Sequence, residues 1–376
     1  MKILFICGSL APGRDGVGDY TLRLAGELIR QGHQASIIAL NDRLIDTLIS
    51  TKQEVDGITV PVLRLPSIVS NKERFFNAAK YIEVFNPEWL SLQFVPFSFQ
   101  DKGLPLGLGR GLAKIGKGRK WHVMFHELWI GRDKFIYSTT NIISFLQQII
   151  ITNLIKNISP TLIHTHLPSY KINLQTLGVF IHELPIFSNI AIYPMLKKNK
   201  FDDKFRISFF SQADANFEII YFLTEIIIQL LSHNFNIELA FIGGNIEKMQ
   251  SIGQIIQTEI PQIQNIVYTG HLNEFEISFE IQKTKLGITP IPRHALGKSG
   301  SVAAFISHGI PVAAPCQLNN KDEIGFFNEN LIKCIMLEPK LDEFNSLKEL
   351  INENKKGIAL DLITTKFCDD LNTTRK

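Results

Sequence analysis

The sequence predicts an α/β chain built as two doubly wound, Rossmann-like domains with parallel sheets. Three observations predict it. Short apolar runs without alternation recur along the chain, as in strands covered on both faces. Segments of helical periodicity separate them, with glycine at strand–helix junctions and helix ends. The layout repeats once per half, and 376 residues exceed what one hydrophobic core usually serves.

Ile3–Cys7 is the first apolar run. A loop from Gly8 to Gly18 follows, then Leu22, Leu24, Ala25, Leu28 and Ile29 at helical spacing, a stop at Gly32, and a second strand at Ala35–Leu40. Trp89–Val95 and Trp121–Phe125 read as strands joined by a Gly-rich helical connection, 138–156 as a long helix, Leu162–His166 as a strand, and Tyr170–Leu177 as a short helix. Pro185, Pro194 and the Lys197-Lys198-Asn199-Lys200 cluster mark a linker. The second half reads as strands at Ile207–Phe210, Ile237–Ile242, Ile266–Tyr268, Lys285–Thr289 and Pro311–Ala314. Helices are expected at Phe217–Leu231, Glu247–Thr258 and Ser299–His308, the last stopped by Gly309. The expected division is a domain at 1–190, a linker at 191–203, a domain at 204–345, and a helical tail at 346–376 that can pack back on the first domain.

Composition narrows the function. At 45% hydrophobic and 20% charged, the chain is neither disordered nor of low complexity. Cys7, Cys316, Cys334 and Cys368 are scattered with no C-x-x-C pair, which argues against a disulfide framework or a structural zinc and fits a reducing cytosol. The net charge of +3 conceals a basic first half (23 Lys and Arg against 14 Asp and Glu in 1–200) and an acidic second half (16 against 22). Ile142–Ile158 is apolar but broken by polar residues, so no span is expected. Met1–Cys7 reads as a buried strand, not a cleaved signal, because Arg14 and Asp15 follow at once.

The segment from Gly297 to Val312 carries the clearest chemistry. It reads as loop, capped helix start, short helix, glycine stop and strand. Ser299 or Ser301 can cap the helix, and Gly300 lets backbone approach a ligand. Free N–H groups and the dipole at the helix start favour an anion, and Lys298 adds a full positive charge. The plain alternative is a capped helix beside a surface lysine. A Walker A loop is excluded, since Pro292 stands where the first glycine is required. Gly16-Val17-Gly18 begins a dinucleotide fingerprint that Thr21 breaks, which disfavours a dehydrogenase although Asp42 sits near the end of the second strand.

With these segments in view, the chain resembles the glycosyltransferase family 4 group, of GT-B fold. The resemblance rests on Gly16-Val17-Gly18-Asp19-Tyr20 with Leu28, Gly32 and His33, on Phe125-His126-Glu127-Leu128-Trp129, and on Leu184-Pro185-Ile186-Phe187-Ser188-Asn189. It continues with Thr269-Gly270-His271-Leu272, Thr289-Pro290 and Lys298 to Val312. Together they span about residues 1–315 in family order. The usual glutamate pair is absent, its positions held by Leu296 and Ala304. Ser211-Gln212 stands where an arginine and a lysine are usual.

The resemblance implies two domains facing across a cleft and a nucleotide-sugar donor held by the second, with retention at the anomeric carbon and neither bound metal nor permanent cofactor. It implies a donor site from Ser211, Gln212, Gly243, Gly244, His271, Leu272, Ser299, Gly300 and Ser301, with Lys298 on the diphosphate. It places Gly16, Val17 and Gly18 on the acceptor side and His126 beside the transferred sugar. From the sequence alone, a structural strand-end histidine is the favoured reading of His126. Ile130 breaks H-E-x-x-H, and His164 and His166 share a strand face with no third ligand nearby in sequence, so no metal is expected.

Lys102, Arg110, Lys114, Lys117, Arg119 and Lys120 form a basic stretch without acids between, interleaved with leucines. It reads either as a peripheral contact with an anionic membrane or as a solvated crossover helix. Many relatives act on lipid-linked acceptors, so a glycan or lipid-linked acceptor is expected, in the cytoplasm and at the inner face of its membrane. Nucleic acid is not expected, for lack of interleaved aromatics. Two rivals stay open: a nucleotide-sugar epimerase or hydrolase, and a scaffold that has lost catalysis.

Overall fold

The computed structural model describes residues 1–131, 139–194, 204–317 and 324–373. It divides into two compact units, Met1–Leu184 with Thr364–Lys376, and Pro185–Ile363. The first break falls ahead of the expected linker, of which 195–203 lies outside the described residues, as does residue 138 of the expected long helix. The chain returns to the first unit at Thr364, later than the expected start of the tail.

In the first unit the described strands are β1 (Lys2–Cys7), β2 (Gln34–Asp42), β3 (Ile49–Val55), β4 (Ile58–Pro66), β5 (Trp89–Phe94), β6 (Lys120–Phe125), β7 (Leu162–Thr165) and β8 (His182–Glu183). They form one sheet in the order β3-β4-β2-β1-β5-β6-β7-β8. Every pairing is parallel except β3 with β4. The chain leaves β1 on one side for β2 and returns on the other as β5. The carboxyl ends of β1 and β5 therefore flank a topological switch point, where ligands bind in such sheets.

The strand from Ile3 to Cys7 is fully buried, as its unbroken apolar run requires. One sheet face packs Leu4, Ile6, Leu90, Leu92, Val123 and Phe125 against Ala78, Ile82, Leu112, Ile151 and Leu154 of three covering helices. Each of these side chains larger than alanine contributes roughly 1.5–3 kcal/mol through burial. The helix Leu108–Ile115 joins that core through Leu108, Leu112 and Ile115. The apolar side of the basic stretch is thus core, while Lys114, Lys117 and Lys120 are exposed.

The β3–β4 hairpin lies outside the sequence reading. Its two-residue turn is Asp56-Gly57, both at positive φ (49° and 73°), the chemistry a tight hairpin turn demands. The segment Gly16-Val17-Gly18, read as loop, is instead the first turn of the helix Gly16–Arg30. The Asp15 carboxylate caps that helix, accepting from the Val17 and Gly18 N–H groups at 3.0 and 2.8 Å. A Cβ on Gly18 would sit 2.7 Å from the Ser9 carbonyl oxygen, so only glycine lets the helix start this close to the β1 loop.

In the second unit the described strands are β9 (Lys204–Phe210), β10 (Asn236–Ile242), β11 (Asn265–Tyr268), β12 (Leu286–Ile288), β13 (Val312–Ala313) and β14 (Ile335–Met336). All pair in parallel, in the order β11-β10-β9-β12-β13-β14. The helix Phe217–Ser232 buries Ile219, Phe222, Leu223, Ile226, Ile227 and Leu230 against this sheet. The order reverses at β9, so the loops after β9 and β12 flank this unit's switch point.

Candidate functional site

The second unit gathers most of the expected donor residues on the carboxyl edge of its sheet. Ser211 and Gln212 follow β9, Gly243 and Gly244 follow β10, and His271 and Leu272 lie just past β11. Hydrogen bonds tie the first of these loops together. The Ser211 N–H donates to the Ile242 carbonyl at 2.9 Å, and the Gly243 N–H donates to the Thr269 hydroxyl at 2.9 Å. A Cβ on Gly244, whose φ is +78°, would lie 3.0 Å from the Ser211 carbonyl oxygen. Ser211 itself holds a left-handed backbone at φ +64°, uncommon without glycine.

Lys298 ends the 3-10 turn Arg293–Lys298, and Ser299 caps the helix Gly300–Ser307 by accepting from the Val302 N–H at 3.3 Å. Ser301 does not cap; its hydroxyl pairs with that of Ser299 at 3.1 Å. The Gly300 and Ser301 N–H groups in the first turn have no intrahelical acceptor. A Cβ on Gly300 would meet nothing within 4 Å, so the space before this helix start is open. β12 neighbours β9, whereas β11 lies three strands from β12. The sheet edge from β12 to β11 thus spans roughly 14 Å at ordinary strand spacing. That suits an extended ligand with an anionic end. Arg293 cannot serve as a second cation in this unit. It is buried and donates to the carbonyls of Ala314 and Leu337 at 2.9 and 2.8 Å.

In the first unit, Gly16, Val17 and Gly18 open the helix after β1, and His126 follows β6. Asp42, which ends β2, is fully committed. It accepts from Arg64 Nε at 2.7 Å, from the Leu10 and Leu44 N–H groups at 3.2 and 3.1 Å, and from the Ser9 hydroxyl at 3.2 Å. Burial alone raises its carboxyl, but the Arg64 hydrogen bond and the two backbone donors outweigh it and hold the group below the usual range. No lone pair is left for a ribose, in line with the broken dinucleotide fingerprint.

His126 is 6% exposed and both its ring nitrogens are used. Nε2 meets Gln93 Oε1 at 2.8 Å and Nδ1 meets His166 Nε2 at 2.9 Å. These are members of a polar stripe along one sheet face, made by residues of β5, β6 and β7 and those just past them in register. His166 Nδ1 bonds the Leu184 carbonyl at 2.9 Å. Gln93 Nε2 donates to the Ser91 hydroxyl at 2.8 Å, which meets His122 Nδ1 at 2.8 Å. His122 Nε2 meets His164 Nδ1 at 3.0 Å, and His164 Nε2 meets Asp370 Oδ2 at 3.1 Å. Tyr20 sets its ring edge on His126 and His166, and Phe367 packs on His122 and His164. Burial first, and neighbouring histidines second, hold His122 and His126 well below the ordinary imidazole value, so both are neutral at pH 7.

The structure thus gives His164 a neighbourhood that sequence reading did not. His182 of β8 and Asp370, from the helix Leu360–Thr373, stand beside it. The signal in sequence is faint, since Asp370 lies 206 residues from His164.

No family model and no curated relative matches the sequence. Solved structures do match along nearly its whole length. HepE of Anabaena, in complex with UDP and glucose, aligns at TM-score 0.62 and 14% identity, over 99% of this chain and 100% of that one. Trehalose 6-phosphate synthase of Burkholderia multivorans aligns at 0.62 and 11%, over 100% and 99%. Sucrose-phosphate synthase of Thermosynechococcus elongatus aligns at 0.59 and 13%, over 99% and 94%. The chain has the GT-B fold. Among the described residues of this GT-B chain, no helix is long and apolar enough to cross a membrane. A UDP-N-acetylglucosamine 2-epimerase from Listeria monocytogenes, named as putative, shares the fold at TM-score 0.51 and 12% identity, over 96% and 90%.

Proposed function

We propose that the protein is a glycosyltransferase that takes a sugar from a nucleotide-sugar donor, with retention and without a metal on the diphosphate. The observation that carries this reading is the open helix start at Gly300, with Lys298 directly before it, at the carboxyl edge of a parallel sheet. HepE, which shares the fold, is described with UDP and with UDP-glucose. As the sugar–phosphate bond breaks, negative charge grows on the leaving phosphate. A lysine and fixed N–H groups aimed there stabilise that charge in the transition state. His126 is proposed to position the sugar. With both ring nitrogens engaged, it acts by giving up one bond or through its ring edge. The acceptor belongs to the Gly16–Gly18 side. The domain roles follow the same division, acceptor first and donor second.

A panel of nucleotide sugars in a thermal-shift assay, followed by transfer with the donor that stabilises, tests the proposal. The right donor raises stability by mass action. Stabilisation followed only by epimerisation would favour the second reading, which the shared epimerase fold supports. Binding with no turnover of any kind would favour a scaffold.

Gly300→Ala separates a ligand site from a merely capped helix. Alanine has room there and is the better helix former, so folding stability should hold or rise by up to about 1 kcal/mol. Donor affinity should fall at the same time, because the methyl occupies the space a phosphate needs. Unchanged donor affinity by calorimetry would take Gly300 out of the site.

A lipid-linked acceptor at the inner face of the cytoplasmic membrane is part of the proposal. Its support is the exposed Lys114, Lys117 and Lys120 together with Leu106, which is 76% exposed. Binding to anionic vesicles should fall with added salt, and should weaken when the three lysines are changed together to glutamine. Equal vesicle binding by parent and variant would return the segment to a solvated crossover helix.

A further inference from the structure

We propose that His164, His182 and Asp370 form a binding site for a divalent transition metal of the zinc class. The three side chains offer one ligand atom each, all within 4.8 Å of one another. A tetrahedral ion with ligands about 2.0–2.1 Å away needs them roughly 3.4 Å apart, within reach of small rotamer changes. Two imidazoles and a carboxylate are the donor set of a borderline metal, not of calcium or magnesium. His164 and His182 sit directly opposite each other on β7 and β8, so the sheet fixes two ligands. The third comes from the helix Leu360–Thr373. His164 is fully buried, whereas His182 and Asp370 are half-buried, which leaves an entry path.

The hydrogen bonds behind His164 can accommodate an occupant. The stripe from Asp370 to the Leu184 carbonyl contains seven links. Counted with each imidazole carrying one ring proton, the four imidazoles, one hydroxyl and one amide supply six protons in all. Both ends of the stripe are acceptors, so a neutral stripe always leaves one link without a proton. A cation on His164 Nε2 removes that shortfall, as would one extra proton on an imidazole, for instance in a His164–Asp370 ion pair, and metal titration tells the two apart. His164 Nδ1–H then donates to His122, His122 to Ser91, Ser91 to Gln93 with its amide turned over, Gln93 to His126, His126 to His166, and His166 to the Leu184 carbonyl. Turning an amide exchanges two atoms of nearly equal size. The metal-bound histidine would thus donate its other ring proton to a fixed acceptor, the usual arrangement around ligating imidazoles. Lys366 Nζ holds Asp370 Oδ2 at 2.8 Å, but its side chain is 45% exposed and can turn to water, and Oδ1 is the second possible ligand atom.

The test uses the full chain, stripped with a chelator and titrated with cobalt(II) and with zinc(II). One equivalent should bind, with cobalt ligand-field bands of nitrogen and oxygen coordination, and zinc should raise the melting temperature. His182→Ala and Asp370→Asn should each weaken metal binding by at least tenfold and abolish the melting shift. His233→Ala, an exposed histidine elsewhere, should titrate like the parent. His182 is half-buried at a sheet edge, so its variant keeps the core, and circular dichroism confirms the fold. A thiolate charge-transfer band, no binding of either metal, or parent-like titration by both variants would overturn the site.

Discussion

Replacing Lys298 with alanine should slow single-turnover sugar transfer by about 10²–10³, or roughly 3–4 kcal/mol, the usual effect of losing one preorganised charge-stabilising group. Lys298 precedes the helix cap, so its removal leaves the Ser299 cap and the first-turn N–H groups in place. In the proposed site the lysine would meet most charge as the bond breaks, so ground-state donor binding should fall much less than turnover. Lys298→Arg should recover only part of the rate, since a planar guanidinium presents its donors in a different geometry from an ammonium. The measurement is single turnover at saturating donor, paired with calorimetry. Near-parental turnover in a folded Lys298→Ala protein would exclude Lys298 from the leaving-group site.

His126→Ala should cost both fold stability and turnover. Gln93 and His166 would each lose a partner while buried, at about 1–3 kcal/mol for each orphaned group, and the lost ring adds a cavity. Chemical denaturation should show a loss of several kcal/mol, with the transition midpoint moved and its slope kept. In the fraction that folds, kcat should fall more than donor affinity if the ring aligns the sugar. A stable variant with parental kcat would remove both roles.

The central strands of both sheets were legible because a parallel strand buried on two faces leaves an almost wholly apolar run, as Ile3–Cys7 does. Helix ends at Gly32 and Gly309 were legible because each adopts a positive φ, 85° and 77°, that favours glycine. The β3–β4 hairpin escaped because Ile49–Val55 is largely exposed and carries few apolar residues, although Asp56-Gly57 was a usable signal. The basic stretch at 102–120 shows a limit of periodicity. An apolar stripe looks the same whether it faces lipid or a core, and here Leu108, Leu112 and Ile115 face the core. Lys298 and the helix start could be read because they are local. The histidine stripe could not, because it joins residues from 91 to 184 and a carboxylate at 370.

The return of the chain at Thr364 bears on how the protein is made. Phe367 is fully buried, stacks on Phe5 and covers His122 and His164, so the first unit lacks part of its core until the last helix emerges. During synthesis, residues 1–184 must wait on the ribosome with that sheet face uncovered while Pro185–Ile363 is translated. At about 5–20 residues per second, that interval lasts on the order of 10–40 seconds. The second unit can fold as an uninterrupted segment in the meantime, and the first closes last. A ribosome stalled before residue 364 would thus hold a folded second unit and a chaperone-sensitive first one.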